Sequence, residues 1–320
     1  MNERGSRVLD PAGDLSVQYS PMQIYIDGEW YSRETAKVSV FDHGLLYGDG
    51  VFEGIRAYSR RIFRLDAHLD RLYDSAQALA LTVPLSRKEM AEAVEETVRR
   101  NQRDDVYIRL IVTRGAGELG IDPLSCPTPS VIVIANDVRV YPRELYAGGI
   151  TVMTSATRQV SHEAVDPRIK SLNYLKNILA KIDAQQAGAH EAIMLNAEGY
   201  VADGPGENIF VVRDGRISTP PLSMSILPGI TRDTIIQIAQ DLGFVVEEAL
   251  LIRTDLYVAD EVFLCGTATE VAPVRAVDDR ELGVGPVTRE LQKAYLAAVN
   301  GIDERWSHWL DVVDAVHAPA

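Results

Sequence analysis

"VDPRIKSLNYLKNILAKIDA" spans residues 165–184 and places three lysines, Lys170, Lys176 and Lys181, within twelve positions. At helical periodicity Leu172, Leu175, Ile178, Leu179 and Ile182 share one stripe. Lys176 and Lys181 point away from that stripe and are expected to be solvated. Lys170 differs. It precedes Ser171 and Asn173, either of which can cap a helix, so it stands at the helix entrance. Most lysines are plain charged surface. The spacing alone leaves a reactive and a solvated Lys170 both open, and the rest of the chain must choose between them.

The chain has 320 residues, enough for two domains and a substantial core. With 46% hydrophobic and 24% charged residues it has an ordinary globular composition. No apolar run approaches the roughly 20 residues that span a bilayer, and "MNERGSRVLD" lacks a signal-peptide core. Cys126 and Cys265 are far apart and form no CxxC pair, and no histidine has ligand spacing. A protein metal site is not expected, and the cysteine usage fits a reducing cytoplasm. The net charge of −14 argues against nucleic acid and anionic membrane partners. A small anionic ligand would need local positive groups.

Outward from the lysine stretch, the organisation is α+β in two domains. Residues 1–20 are expected to be a flexible extension, 21–138 a small domain, 139–149 a linker, 150–310 a large domain and 311–320 a tail. "QIYIDGEWYS" predicts a hairpin turning at Asp27-Gly28. Strands are expected in "VSVF", "GVFEGIRAYSRRIFRL", "DVYIRLIVTRG" and "PSVIVIAND", the last two separated by a loop at 115–130. Helices are expected after Asp66, as a cap, and from the capping box of Ser86 and Glu89. In the second half "NIFVVRDGRIST" predicts another Asp-Gly hairpin, and "LPGITRDTIIQIAQDLG" and "PVTRELQKAYLAAVNG" predict helices.

Two segments suit an anionic ligand. "LPGITRD" places Gly229, Ile230 and Thr231 at a helix start, where free amides and the helix dipole attract phosphate. "CGTATE" is a turn of small residues with hydroxyls at Thr267 and Thr269. Taken locally, each reads first as a simple helix cap or a tight turn. "GDGVFEG" lacks the spacing of a dinucleotide fingerprint and precedes a strand rather than a helix.

Seven segments occur together in order: "FDHGLLYGDGVFEGIRAY", "HLDRLYDSA", "YIRLIVTRGAGELGIDP", "RIKSLNYLKNILAK", "GYVADGPGENIF", "LPGITRD" and "FLCGTATEVAPV". On these the chain, from about Gln23 to Trp309, resembles the fold-type IV pyridoxal phosphate enzymes, and most closely their branched-chain amino acid aminotransferases. The resemblance selects Lys170 over Lys176 and Lys181.

That resemblance implies a role for each matching residue. Lys170 carries pyridoxal 5′-phosphate covalently and moves the proton between substrate and cofactor. Tyr174 bonds the cofactor's phenolic oxygen, with Arg158 behind it, and Leu227 lies against the ring. Arg71, Ile230, Thr231 and Thr267 hold the phosphate, meeting the demand for local positive charge. Thr267 and Ala268 bind the substrate carboxylate, assisted by Tyr107. Phe52, Tyr47 and Tyr174 line the side-chain pocket, with Leu119 and Ile121 lent by a second subunit of a homodimer or larger homo-oligomer. Arg109 receives the distal carboxylate of glutamate, and Arg56 supports it or forms a structural ion pair. Asp203 stands where the family usually has glutamate facing the pyridine nitrogen, one methylene shorter. The expected reaction transfers the amino group of leucine, isoleucine or valine to 2-oxoglutarate. A D-amino acid or (R)-amine aminotransferase, a 4-amino-4-deoxychorismate lyase and a catalytically silent relative are the alternatives.

Overall fold

The computed structural model describes residues 22–138 and 140–313. The extension expected over residues 1–20 and residues 314–320 of the expected tail lie outside them. β1 (Ile24–Ile26) and β2 (Glu29–Tyr31) form the hairpin, with φ of 50° at Asp27 and 93° at Gly28. Positive φ at both turn positions gives the twist that paired strands require. Then follow α1 (His43–Tyr47), β3 (Gly50–Tyr58), β4 (Arg61–Phe63), α2 (Leu65–Ala78), α3 (Arg87–Asn101), β5 (Val106–Thr113) and β6 (Ser130–Asn136). The capping box at Ser86 and Glu89 is present. α2 instead starts from Arg64 at φ 53°, with Asp66 inside its first turn rather than capping it. "VSVF" is no strand: Val40 and Phe41 are exposed in a turn.

β5 shows how the first sheet divides its faces. Val106, Ile108, Leu110 and Val112 pack with Leu69, Leu72, Met90 and Val94 of α2 and α3. Tyr107 and Arg109 alternate onto the opposite face, half-buried.

The second half contains α4 (Arg143–Gly148), β7 (Ile150–Thr154), α5 (Leu175–Gln186), β8 (Glu191–Ile193), β9 (Asn208–Arg213), β10 (Arg216–Thr219), α6 (Ile230–Asp241), β11 (Val246–Glu248), α7 (Arg253–Tyr257), β12 (Glu261–Gly266), β13 (Glu270–Val277), β14 (Arg280–Glu281), α8 (Pro286–Val299) and β15 (Leu310–Val312). Its sheet runs β11-β10-β9-β12-β13-β7-β8, with β14 on β13. The first sheet runs β15-β4-β3-β5-β6-β1-β2, so the last strand of the chain returns to the first half. β9 and β12 are apolar almost throughout because both faces are covered. Phe210, Val212 and Phe263 meet Ile235, Ile238 and Leu291 of α6 and α8, while Ile209, Val211 and Leu264 meet Leu251 and Leu256. Burial of each phenylalanine contributes about 2 kcal/mol.

α5 departs from its expected orientation. Leu175, Ile178, Leu179 and Ile182 are 69%, 54%, 46% and 39% exposed, and the inward residues are Asn177, Ala180 and Ala184. Lys176 and Lys181 are half-buried and hydrogen-bonded rather than free in solvent. Lys181 Nζ donates to Glu191 at 2.6 Å and to the His190 carbonyl at 2.7 Å, and Lys176 Nζ donates to Gln159. Neither Ser171 nor Asn173 caps the helix, since Tyr174 takes that position without a side-chain bond. Among the described residues, no helix is long and apolar enough to cross a membrane.

Candidate functional site

The lysine stretch reaches the first sheet before it becomes helical. Phe52 N donates to the Lys170 carbonyl at 3.0 Å, Leu172 N donates to the Gly50 carbonyl at 2.9 Å, and Val51 bridges to Ser171. Lys170 N donates to Ser75 Oγ of α2 at 3.2 Å. Lys170 is thus fixed by β3 and α2 rather than by the helix that follows it.

Its amine meets mainly cations. Burial, Arg71 and Arg109 lower the Lys170 pKa to about 7, against the opposing pull of Glu53. Near neutral pH a large fraction of this amine is therefore uncharged and nucleophilic. Nζ lies 5.1 Å from the centre of the Phe52 ring. Phe52 in turn meets Tyr174 edge-to-face at 4.9 Å. Burial keeps the Tyr174 hydroxyl protonated, against the opposing pull of Arg71.

Glu53 organises the wall behind Lys170. It accepts from Arg71 Nε at 2.7 Å and Nη2 at 2.8 Å, and its carboxylate can only accept, so His68 Nδ1 at 2.8 Å is a donor. Burial works against the charge, but Arg71, Lys170 and His68 outweigh it and hold Glu53 well below the usual carboxylate range. Arg71 Nη1 also donates to the Pro228 carbonyl at 2.7 Å, which ties α2 to the loop before α6. Three of the five Arg71 N–H groups are engaged among the described residues, leaving two for a ligand.

On β5, Arg109 Nη2 donates to the Tyr107 hydroxyl at 3.1 Å, and the guanidinium lies 4.5 Å from the Phe52 ring centre. Gly54 pairs opposite Arg109, and a Cβ there would lie 2.0 Å from the Tyr107 hydroxyl. Only glycine leaves room for that tyrosine to cross β3.

The second sheet supplies the facing wall. Thr267 and Ala268 form the half-buried turn between β12 and β13. Arg56 Nη1 reaches Glu270 at 3.1 Å and the Ala268 carbonyl at 3.4 Å, so it braces this turn in the ion pair that was the alternative to its binding role. The Thr269 hydroxyl is committed to Glu207 at 2.7 Å. Ile230 and Thr231 open α6 from Gly229, whose cap provides no side-chain acceptor for their amides. A cavity between residues 165–177 and 203–208 is lined by Gln159, Tyr174, Lys176, Asp203 and Leu227. Asp203 is 6% exposed and accepts from Gln159 Nε2 at 2.8 Å.

Some expected residues lie elsewhere. Arg158 is exposed in a different groove with Asp183 and Arg253, not behind Tyr174, because Gln159 and not Arg158 turns inward after β7. Tyr47 accepts from Gly120 N at 2.8 Å and packs on His43, so it shares a face with the 115–130 loop. Leu119 and Ile121 on that loop are 72% and 86% exposed. Sequence reasoning missed Glu53, His68, Gln159 and Lys176. The readable signal was a glutamate within the apolar run "GVFEGI" and the i, i+3 spacing of His68 and Arg71. Nothing local marks Gln159.

A family model described as amino-transferase class IV matches residues 50–277. A Methanocaldococcus jannaschii protein, provisionally named a branched-chain-amino-acid aminotransferase, is 48% identical over 277 residues, covering 86% of this chain and 95% of its own. The branched-chain aminotransferase of Thermoproteus uzoniensis, solved with norvaline, superposes with a TM-score of 0.88 at 40% identity over 92% of this chain and 100% of its own. The branched-chain amino acid aminotransferase of Thermobaculum terrenum, solved in its PLP-form, gives 0.84 at 34% identity over 92% of this chain and 99% of its own.

Proposed function

The chain belongs to the class IV amino-transferase family, and we propose that it moves the amino group of L-leucine, L-isoleucine or L-valine to 2-oxoglutarate. The observation that carries this reading is Lys170, an amine of near-neutral pKa set between an arginine with spare donors and an aromatic wall.

The residues fit pyridoxal 5′-phosphate, which needs an anion site, an amine and an acidic partner for its ring nitrogen. Arg71 has two N–H groups to give, Lys170 supplies the amine, and Asp203 is a buried carboxylate in the adjoining cavity. When bound, the cofactor supplies an aldehyde carbon that accepts the amino group and a ring that draws electrons from the substrate Cα.

Arg71, the Ile230 and Thr231 amides and Thr267 would hold the phosphate. Tyr174 would donate its protonated hydroxyl to the phenolic oxygen, and Leu227 would lie against the ring. Asp203 would keep a proton on the ring nitrogen. Lys170 Nζ removes the proton from the substrate Cα, and its uncharged fraction makes that possible near neutral pH. Arg109 and Tyr107, already joined by a hydrogen bond, bind a carboxylate at the rim, while Phe52 offers an apolar surface to a branched side chain. One pocket thereby receives leucine and glutamate in turn.

We further place the enzyme as a homodimer or larger homo-oligomer in the cytoplasm. The exposed α5 stripe and the exposed Leu119 and Ile121 favour burial by a second copy. Both cysteines are free, which suits a reducing compartment.

The test is the visible spectrum of the purified protein, read with L-leucine, D-alanine and (R)-1-phenylethylamine in turn. Conversion of the cofactor band by L-leucine alone is expected. Conversion only by the D-amino acid or the (R)-amine would overturn the substrate assignment, and a colourless protein that takes up no cofactor would overturn the enzyme reading.

A further inference from the structure

Lys176 has a costly position. It is the second residue of α5, where the positive end of the helix dipole disfavours a cation, and burial lowers its pKa further. Its ammonium donates to Gln159 Oε1. The same oxygen accepts from Val160 N at 3.1 Å. Both neighbours of that oxygen are donors, so the Gln159 amide has one admissible orientation, with its NH₂ turned to Asp203 Oδ1 at 2.8 Å. The Gln159 backbone is itself fixed, donating to the Leu195 carbonyl at 2.9 Å.

We propose that Lys176, acting through Gln159, is a positioning residue that keeps Asp203 ionised and aimed at the cofactor's ring nitrogen. The inference rests on the reading of Asp203 given above. The charged and polar groups facing Asp203 come from three elements: Lys176 and Tyr174 from α5 and its cap, Gln159 from the segment after β7, and the Leu227 amide from the loop before α6. Glu207 is turned aside to Thr269. Burial pushes Asp203 up to about 7, with Lys176, Gln159 and the Leu227 amide opposing it. Lys176 is the one full positive charge in that set. Without it Asp203 takes up a proton within the working range, and a neutral acid no longer holds the ring nitrogen protonated.

The experiment compares wild type with Lys176→Met, Lys176→Arg, Asp203→Asn and the Lys176→Met/Asp203→Asn double variant, all full-length. Three quantities are read: the pH profile of kcat, the pH dependence of the bound cofactor's visible spectrum, and the affinity of the cofactor-stripped protein for pyridoxal phosphate. Lys176→Met should move the acid limb of kcat and the spectral transition upward by roughly one pH unit and lower kcat near neutrality by about tenfold, with KM for leucine little changed. Lys176→Arg should restore both. In the Asp203→Asn background, Lys176→Met should cause no further loss, because the charge it removes has lost its target. An unmoved acid limb and spectrum in Lys176→Met, or a loss that adds in full to that of Asp203→Asn, would overturn the inference and leave Lys176 a structural residue. Wild-type turnover and spectrum in Asp203→Asn would instead overturn the underlying reading of Asp203.

Discussion

Glu53 and Asp203 are both carboxylates shielded from solvent, one in a strand of the first sheet and one in the loop ahead of β9 of the second. They titrate in opposite directions. Glu53 is gripped by two nitrogens of Arg71 and by His68, which overcome its burial. Asp203 receives only neutral donors, the Gln159 side-chain amide and the Leu227 backbone amide, with the nearest cation a residue further away, and burial lifts it to about 7. A buried acid that must only hold neighbours in place is saturated with donors. One whose charge must respond to a ligand is left partly unsatisfied.

Lys170 separates the two, since it faces Glu53 and Arg71 directly. Lys170→Ala should lower transamination by roughly 10³- to 10⁴-fold, measured as release of the branched 2-oxo acid, the loss expected when a proton-transfer group is removed. A small loss would mean that neither carboxylate surrounds the reacting amine.

Glu53→Gln should cost about 3 kcal/mol of folding stability in denaturant titration, because it leaves the Arg71 charge buried without a partner. An unchanged midpoint would dissolve the contrast. Asp203→Asn should act on the other side of it, lowering kcat by about 100-fold while cofactor content stays near normal. Near-normal turnover would remove Asp203 from the site.

A further effect is on the pH dependence of stability in the cofactor-stripped protein. Asp203 titrates higher when folded than the roughly 3.9 of an unfolded aspartate, so between these values the folded state binds more protons. Its contribution to stability should therefore grow as pH falls from about 7 towards 4, and Asp203→Asn should abolish that part of the slope. Glu53, depressed when folded, contributes stability at neutral pH that is lost only as pH falls below the ordinary carboxylate range. Denaturation midpoints of wild type and Asp203→Asn across this range decide it; parallel curves would refute the assignment of the shift to Asp203.

Much of the fold was legible. Both Asp-Gly hairpins carry positive φ at both turn residues, and the capping box starts α3 where it should. The errors share a cause. The apolar stripe on α5 is exposed although its spacing suits burial, because periodicity marks a common face without saying what covers it. "VSVF" was read as a strand because alternation is no guarantee of a neighbour to pair with. Of the site, Lys170, Phe52, Arg71, Tyr107, Arg109 and Tyr174 come together as their segments implied, whereas Arg158 and Tyr47 face elsewhere.

The sequence by itself determined the order of elements and the turns that need glycine, since each depends on residues a few positions apart, while seven segments in order carried the resemblance that singled out Lys170. Only the tertiary structure decided how firmly each carboxylate holds its charge, what lowers the pKa of Lys170 and that Lys176 looks inward. Those properties depend on burial and on distances between groups as remote in the chain as Glu53 and Lys170, or Lys176 and Asp203, and local sequence records neither.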